Sequence, residues 1–417
     1  MTKIKSDFIK TITERGYLHQ CTDLTDLDHK ASQGMITAYV GYDATADSLH
    51  IGNLVSIMML HWLQNTGHKP IVLMGGGTTK VGDPSGRDET RKLLNDEQIN
   101  KNIENIKQTF SQFLKFGKED NLAITVNNQD WLDALEYIPF LREVGQHFTI
   151  NRMLSFDSVK LRLEREQPLT FLEFNYMILQ AFDFLELSKR YDCNLQMGGS
   201  DQWGNIINGI ELARRIENVT LYGLTTPLIT TSSGSKMGKT ASGAIWLNSE
   251  KYSAYDYWQF WRNTEDNDVE RFLKLFTTLP LEEIAKLSAL AGSEINEAKK
   301  VLATEATSLL HGHVASETAA NTSAKTFELN ETSENLPTIQ ISKSELKETI
   351  SAFSLLTKCG LTKSNSEARR LIIGKGCRIN DVTIEDEMTK IGLNEVDEKG
   401  FIKVSAGKKR HVLIQPI

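Results

Sequence analysis

The stretch SLHIGNLVSIMML, residues 48–60, sets a His, a Gly and an Asn at the mouth of an otherwise apolar run. His50 and Asn53 are three apart, so on a helix they share a face. From Leu54 onward the run is apolar enough for a buried helix. The polar pair therefore falls in the first turn, where backbone N–H groups have no intrahelical partners. That end also carries partial positive charge and suits a phosphate. Two readings stand side by side: His50 and Asn53 cap a core helix, or they face an anion.

The flanking sequence supplies the context. MITAYVGYD (35–43), PIVLMGG (70–76), LAITVNN (122–128) and CNLQMGG (193–199) are apolar runs ending in Gly, Asn or Asp. Longer helical stretches lie between them, such as LVSIMMLHWLQNTG and DEQINKNIENIKQTFSQFLKFG. The alternation predicts βαβ units on a parallel sheet, with ligands at the carboxyl ends of the strands. From about 250 to 330 the strand signals vanish and successive amphipathic helices follow. Residues 331–345 are polar with one Pro and read as a linker. Two short helices, SAFSLLTKCG and SEARRLIIGKG, and hairpin-like CRINDVTIEDE and KGFIKVSAGKKRHVLI make up a last module.

Composition bounds the class. Forty per cent hydrophobic and 24% charged residues describe an ordinary globular chain of 417 residues, enough for several domains. The N-terminus, MTKIKSDFIKTITERG, lacks the apolar core of a secretory signal. No apolar stretch approaches the roughly 20 residues of a membrane helix, so a cytoplasmic location is expected. Four cysteines without CxxC spacing argue against a disulfide framework or a structural zinc site. The net charge of −7 is uneven: residues 349–417 hold 12 Lys and Arg against 8 Asp and Glu, so the tail is basic and the body acidic. A basic tail module suits an anionic partner.

Three Gly-rich segments end the strand candidates or follow them. GGGTTKVGDPSG (75–86) is neither a Walker loop, since Asp83 follows Gly82, nor a dinucleotide fingerprint, since the third Gly is missing. It leaves a strand end open to close approach, with Asp83 fixed before Pro84. GGSDQWGN (198–205) presents Asp201 and Gln202, suited to ribose hydroxyls or an ammonium group. SSGSKMGKTASG (232–243) carries two lysines three apart in a Ser/Gly loop, apt for polyphosphate or simply solvated. In FLEFNYMILQAFDFLEL (171–187), Tyr176, Gln180 and Asp183 project from one helix face. Such a stripe on an apolar helix is a paired core network or a small-ligand site, because an unpartnered carboxylate there is costly.

Taken in order, these segments resemble class I aminoacyl-tRNA synthetases, and specifically the bacterial tyrosyl branch. HIGN (50–53) stands where the family has HIGH, and KMGKT (236–240) where it has KMSKS. AYVGYDATADSLHIGN, GGGTTKVGDPSG, NYMILQAFD and GGSDQWGN all match that branch closely. The last module is similar to an RNA-binding domain shared with a small-subunit ribosomal protein, through SEARRLI and a short β segment. Asn53 replaces the second His, and Gly238 and Thr240 replace serines; neither change removes a charged group.

The resemblance implies a Rossmann-like α/β catalytic domain with a connective insertion (1–230) and a KMSKS-type loop (231–249). After these it implies a helical anticodon-binding domain (250–330), a linker (331–348) and an α+β RNA-binding domain (349–417). It implies a tyrosine–tRNA ligase that forms tyrosyl-adenylate from L-tyrosine and ATP, then esterifies the 3′-terminal adenosine of tRNA(Tyr). His50, Asn53, Lys236, Lys239, Thr240, Arg87 and Arg91 would serve the departing pyrophosphate. ATP would lie against Gly41, Asp43, His50, Gly52, Asn53, Gly199, Asp201, Lys236 and Lys239, with Mg²⁺ accompanying it and no tightly held protein metal site. Tyr39 and Asp183 would face the phenolic hydroxyl, and Asp83, Tyr176 and Gln180 the ammonium group, with Gln202 beside them. For tRNA the basic candidates are Arg369, Arg370, Lys375, Arg378, Lys408, Lys409 and Arg410. A homodimer is also implied. A tryptophanyl-type enzyme, a nucleotidylyltransferase or a silent RNA-binding relative are the rival readings. The polar face of 176–183 and the appended module argue against the first two, and the retained His50 and lysines against the third.

Overall fold

The computed structural model describes residues 4–85, 93–234, 237, 239–240, 243–327, 336–407 and 410–417, with the side chains of 157, 239, 240, 243 and 325–327 left aside. By internal contacts the chain divides into Met1–Lys251 with Thr264–Leu302, and Tyr252–Asn263 with Ala303–Ile417.

The first unit is built on a six-stranded sheet. Its strands are β1 (Gln20–Cys21), β2 (Thr37–Asp43), β3 (Lys69–Gly75), β4 (Ile124–Asn127), β5 (Cys193–Gly199) and β6 (Tyr222–Thr226), in the spatial order β1-β6-β5-β2-β3-β4. All neighbours are parallel except β1 against β6. The four runs expected as strands are β2 to β5. The two that the sequence did not announce have simple reasons. β1 is two residues long, and β6 reads YGLTT, buried throughout yet too rich in Gly and Thr to register as an apolar run. The strand order turns outward on both sides of the β5–β2 pair, which is where such sheets open a crevice at their carboxyl ends.

Helices cover the sheet and carry its core. Ile51–Asn65 follows β2 and buries nine of its fifteen residues, as its apolar composition demands. Phe171–Tyr191 packs on Trp203–Glu217, and its Met177, Ala181, Phe184 and Leu187 share a core with Tyr39, Ile71 and Leu73 of the sheet. Its first turn is closed by a reciprocal cap between Thr170 and Glu173. Glu173 is also paired with Arg162 at 3.2 Å, both side chains nearly inaccessible, which fixes where that helix begins. Farther along, Lys239–Thr240 (β7) and Gly243–Ala244 (β8) form a small antiparallel pair, and Val269–Phe276 packs against Ile51–Asn65.

In the second unit Ala254–Arg262 packs on His313–Phe327, with Trp258 Nε1 donating to Thr304 Oγ1 at 3.1 Å and Gln259 Nε2 to Ser323 Oγ at 2.9 Å. The last module has strands β9 (Thr338–Ile341), β10 (Ile350–Ser351), β11 (Cys377–Ile379), β12 (Val382–Ile384), β13 (Lys390–Ile391), β14 (Ile402–Ala406) and β15 (Arg410–Pro416). Five of them form one sheet, β12-β11-β14-β15-β9, over the helices Ala352–Lys358 and Asn365–Ile373. The expected hairpins are β11–β12, turned by Asn380 and Asp381 at φ +47° and +66°, and β14–β15. Within the stretch read as linker, β9 pairs parallel with β15 and Ser342 caps a helix at Lys343–Glu348. The Pro and the polar composition hid a four-residue alternation, TIQI, whose Ile341 is buried.

Candidate active site

At the carboxyl end of β2 the chain passes from Asp43 to His50, the N-cap of Ile51–Asn65. The His50 ring accepts the Gly52 N–H at Nδ1 (3.0 Å), and Asn53 Oδ1 accepts the His50 N–H (3.1 Å). The capping reading is therefore correct, and it specifies the ring. With Nδ1 an acceptor, the neutral imidazole carries its proton on Nε2, the tautomer that can donate to a phosphate oxygen. Gly52 is required here, since a Cβ would stand 2.8 Å from His50 Cε1. The cap thus leaves the Nε2 side of the ring as the one that could meet an anion.

The polar face of Phe171–Tyr191 reaches three different strand ends. The Tyr176 hydroxyl donates to Asp43 Oδ2 (3.0 Å) at the end of β2. Gln180 Nε2 donates to Gln202 Oε1 (3.3 Å) just beyond β5. Asp183 meets Asn128 just beyond β4, whose amide donates to Asp183 Oδ2 at 2.9 Å. A ring of carboxylates and amides results. Thr78 Oγ1 donates to Asp43 Oδ1 (2.8 Å), and Gln202 Nε2 donates to Asp83 Oδ2 (3.0 Å). The other Asp83 oxygen accepts the Ser85 N–H at 2.8 Å, so the turn before Pro84 aims the carboxylate. At Gly75 a Cβ would lie 2.3 Å from Asp43 Oδ1, which explains the Gly at that strand end. Acceptor-rich and partly buried, this ring suits an ammonium group and sugar hydroxyls. Gly41 lies in β2, Gly199 ends β5, and Asp201 follows, exposed.

Asp183 is 2% exposed and both of its oxygens are engaged, one by Asn128 and the other by Trp131 Nε1 at 2.8 Å. Burial pushes its carboxyl up to about 8; the two donors pull the other way, while Asp43 and Glu186 add to the rise. Tyr39, 1% exposed, has a hydroxyl with no hydrogen-bond partner among the described residues and a ring tilted on Phe184 at 5.3 Å between centroids. Burial first, and Asp183 second, push its phenol well above the usual range. A buried hydroxyl and a buried, nearly neutral carboxyl beside it suit a polar tip on an apolar ligand.

Asn128 and Trp131, which hold the two Asp183 oxygens, are candidate site residues that sequence reasoning missed. Asn128 is the hub of the site: its Oδ1 accepts the Gly77 N–H (2.8 Å), while its amide also donates to Thr78 Oγ1 (2.9 Å). The signal was the Asn-Asn ending of the LAITVNN strand, followed three residues later by a Trp, and it matched no familiar spacing.

Arg87, Arg91, Lys236, Lys408 and Lys409 lie outside the described residues, and Lys239 and Thr240 are described as backbone alone. The segment that bears the two lysines leads into residues stitched to the His50 segment: Ile51 N–H to Ile245 O (2.9 Å) and Leu247 N–H to Leu49 O (2.9 Å). In the last module the basic candidates divide. Arg369 lies over the Phe353 ring and 3.8 Å from Glu387, Lys375 pairs with Glu385 (2.8 Å), and Arg410 donates to the Leu361 carbonyl (2.6 Å). Arg370 and Arg378 stand exposed. Among the described residues no cluster of three His, Cys, Asp or Glu side chains could hold a metal ion, and no helix is long and apolar enough to cross a membrane.

Comparison with known proteins agrees with this architecture. The family described as class I tRNA synthetases (W and Y) matches residues 30–328. The chain is 61% identical over 416 residues to a tyrosine–tRNA ligase of Nitrobacter winogradskyi, with 100% of each chain covered. It is 59% identical to that of Rhodospirillum rubrum, covering 100% of this chain and 99% of the other. Among solved structures, the C-terminally truncated mitochondrial tyrosyl-tRNA synthetase of Aspergillus nidulans superposes with a TM-score of 0.69 at 30% identity, covering 77% of this chain and 94% of that one. The Archaeoglobus fulgidus tyrosyl-tRNA synthetase, at 17% identity and a TM-score of 0.56, shares the fold. With its sheet, its capped HIGN helix and its full-length relatives in accord, the chain belongs to the class I tRNA synthetases, on their tyrosyl branch.

Proposed function

We propose that the chain, a tyrosine–tRNA ligase, selects tyrosine through the buried Tyr39–Asp183 end of its crevice and activates it at the His50 end. The observation that carries the reading is the polar face Tyr176–Gln180–Asp183, which joins three strand ends around one acceptor-rich crevice. The tyrosine phenol meets Asp183 and Tyr39, while its ammonium group sits among Asp83, Tyr176 and Gln180. Phenylalanine would leave the buried Tyr39 hydroxyl without the partner that the phenol supplies.

ATP enters as its Mg²⁺ complex and lies across the strand ends, its sugar toward Gly199, Asp201 and Gln202. The substrate carboxylate, already anionic, attacks the α-phosphorus; pyrophosphate leaves and tyrosyl-adenylate forms. No general base is needed, so catalysis consists of positioning and of stabilising charge on the leaving group. The Nε2–H of His50, the Asn53 amide, the helix N-terminus and the cations Lys236, Lys239, Arg87 and Arg91 serve that charge, with the Thr240 hydroxyl. In the second step a hydroxyl of the tRNA's terminal adenosine attacks the carbonyl and AMP leaves. Arg370 and Arg378 contribute phosphate contacts from the RNA-binding module, 349–417, and the helices of 250–330 read the anticodon arm. A homodimer forms through an apolar surface: Tyr137, Ile138, Ile150, Leu163 and Phe171 are all 48–69% exposed, more than a lone subunit explains.

ATP–pyrophosphate exchange with tyrosine, phenylalanine and tryptophan in parallel tests the reading. Exchange with tyrosine alone is expected. Exchange with tryptophan instead overturns the assignment of Tyr39 and Asp183, and absence of exchange with all three favours a relative that only binds RNA.

A further inference from the structure

Just upstream of Ser235 and Lys236, the backbone at Thr230–Ser233 meets the start of the helix Val269–Phe276. Asp268 is the N-cap position of that helix, where an Asp ordinarily accepts an N–H of its own first turn. Here its side chain makes no such bond. It is 2% exposed and accepts the Ser232 backbone N–H at 2.8 Å, while Arg271 pairs with Asp268 and donates to the Thr230 carbonyl. Glu265 adds two bonds: its oxygens accept the hydroxyls of Ser232 (2.6 Å) and Ser233 (2.8 Å). A helix cap has been spent on a neighbouring segment.

We propose that Asp268, Glu265 and Arg271 are positioning residues for adenylate formation, holding the base from which the lysine-bearing segment 236–240 springs. The inference rests on the role given above to Lys236 and Lys239. Three further observations locate the anchor. The far end of the same segment is tied to Leu49–Ile51 by backbone bonds. The helix that begins at Asp268 packs on Ile51–Asn65, the helix headed by His50. Its other end is held by Arg15, which donates to the carbonyls of Lys274 (3.1 Å), Thr277 (3.0 Å) and Leu279 (2.6 Å). One short helix therefore ties the base of the loop to the HIGN helix. Fixing both ends of a segment lowers the entropic cost of placing the groups it bears. Groups that act on the leaving pyrophosphate feel that cost in the transition state, so the anchor should show in kcat.

Pyrophosphate exchange tests the idea with D268A, D268N, E265A, S232A/S233A and the combination of the last two, with unfolding temperatures recorded for each. D268A is expected to lower kcat about ten-fold, the scale of one charge-assisted hydrogen bond, with the KM for tyrosine unchanged. D268N, which keeps an acceptor for the Ser232 N–H, recovers most of that loss. E265A and S232A/S233A each lower kcat roughly three-fold, and the combination lowers it no further, because they remove the same two bonds. The serine variant alters exposed hydroxyls only, so it decides the matter even if D268A does not fold. A kcat and ATP KM within two-fold of the parent in the combined variant, or equal shifts in the KM values of ATP and tyrosine, would overturn the proposal. K236A and K239A run alongside: if they leave kcat intact the assignment of the lysines fails, whereas a loss in them without one in D268A or the serine variant sinks the anchor alone.

Discussion

The cap that His50 makes and the donation proposed for it use different nitrogens, and substitution can separate them. Asn is as good a helix cap as His50 is here, while lacking the Nε2–H. His50→Asn is therefore expected to unfold within a few degrees of the parent and yet lose exchange activity by about a hundred-fold, the usual cost of one donor to developing charge. His50→Ala should lose the same activity and about 1 kcal/mol of stability as well; calorimetry beside the exchange assay reads both. Asp183 gives a pH signature. Its folded carboxyl titrates at about 8, far above an ordinary aspartate, so near neutrality the folded protein holds a proton that the unfolded chain has released. Stability contributed by this group is present at acid pH and is lost as pH rises from about 4 toward 8. A tyrosine phenol donating to Asp183 favours the carboxylate, so binding below pH 8 should release a proton and tighten as pH rises. Titration calorimetry in two buffers of different ionisation enthalpy measures the release. In Asn128→Ala, which removes a bond that lowers this titration, the release should move to higher pH; no release in either protein would show that Asp183 is already ionised.

At the level of elements, the sequence disclosed those whose local pattern is self-sufficient. β2 to β5, the capped HIGN helix and the polar face of Phe171–Tyr191 were legible because periodicity and end residues are local properties. What stayed hidden depends on partners distant in the chain. β1 exists through β6, β9 through β15, and the importance of Asn128 becomes plain only when Gly77, Thr78 and Asp183 converge on it. The basic candidates for RNA were legible only as charge; that Arg369, Lys375 and Arg410 also pair within their own module depends on neighbours the local pattern does not show. Arg15 is the same lesson in the N-terminal helix region. Nothing in its sequence context suggests that it gathers three carbonyls at and just past the end of the helix Val269–Phe276. Arg15→Ala strands those carbonyls in a buried setting and should cost about 2–4 kcal/mol, from charged hydrogen bonds and their unpaired remainder. Urea unfolding is the measurement, and a change below 1 kcal/mol would show that water replaces the guanidinium.

For the whole molecule, the exposed apolar residues between 137 and 172 make assembly the property to test. Ile138→Lys places a charge where a second copy would bury an Ile that is 62% exposed in one chain. Sedimentation at micromolar concentration is expected to show the parent as a dimer and the variant shifted to monomer, with unfolding temperature nearly unchanged at such an exposed site. A variant that sediments like its parent would place the contact elsewhere. Membership of the tyrosyl branch rests on the entire chain, whereas the residues proposed for the chemistry are widely separated in sequence.

That separation governs how the molecule comes into being. β2, the strand that delivers Asp43 and leads to His50, pairs on one side with β3, Thr37 opposite Lys69, and on the other with β5, Thr37 opposite Cys193. The first pairing closes a short loop; the second waits for most of the first unit to exist. Chains dominated by such distant pairings fold slowly, because the entropy of closing the loop is lost before the contacts form. Until β5 arrives, one edge of β2 offers unpaired backbone N–H and C=O groups to any extended segment nearby. During synthesis, then, the strand that leads to His50 is a point of exposure to misassembly, and the proposed site is among the last features to be completed.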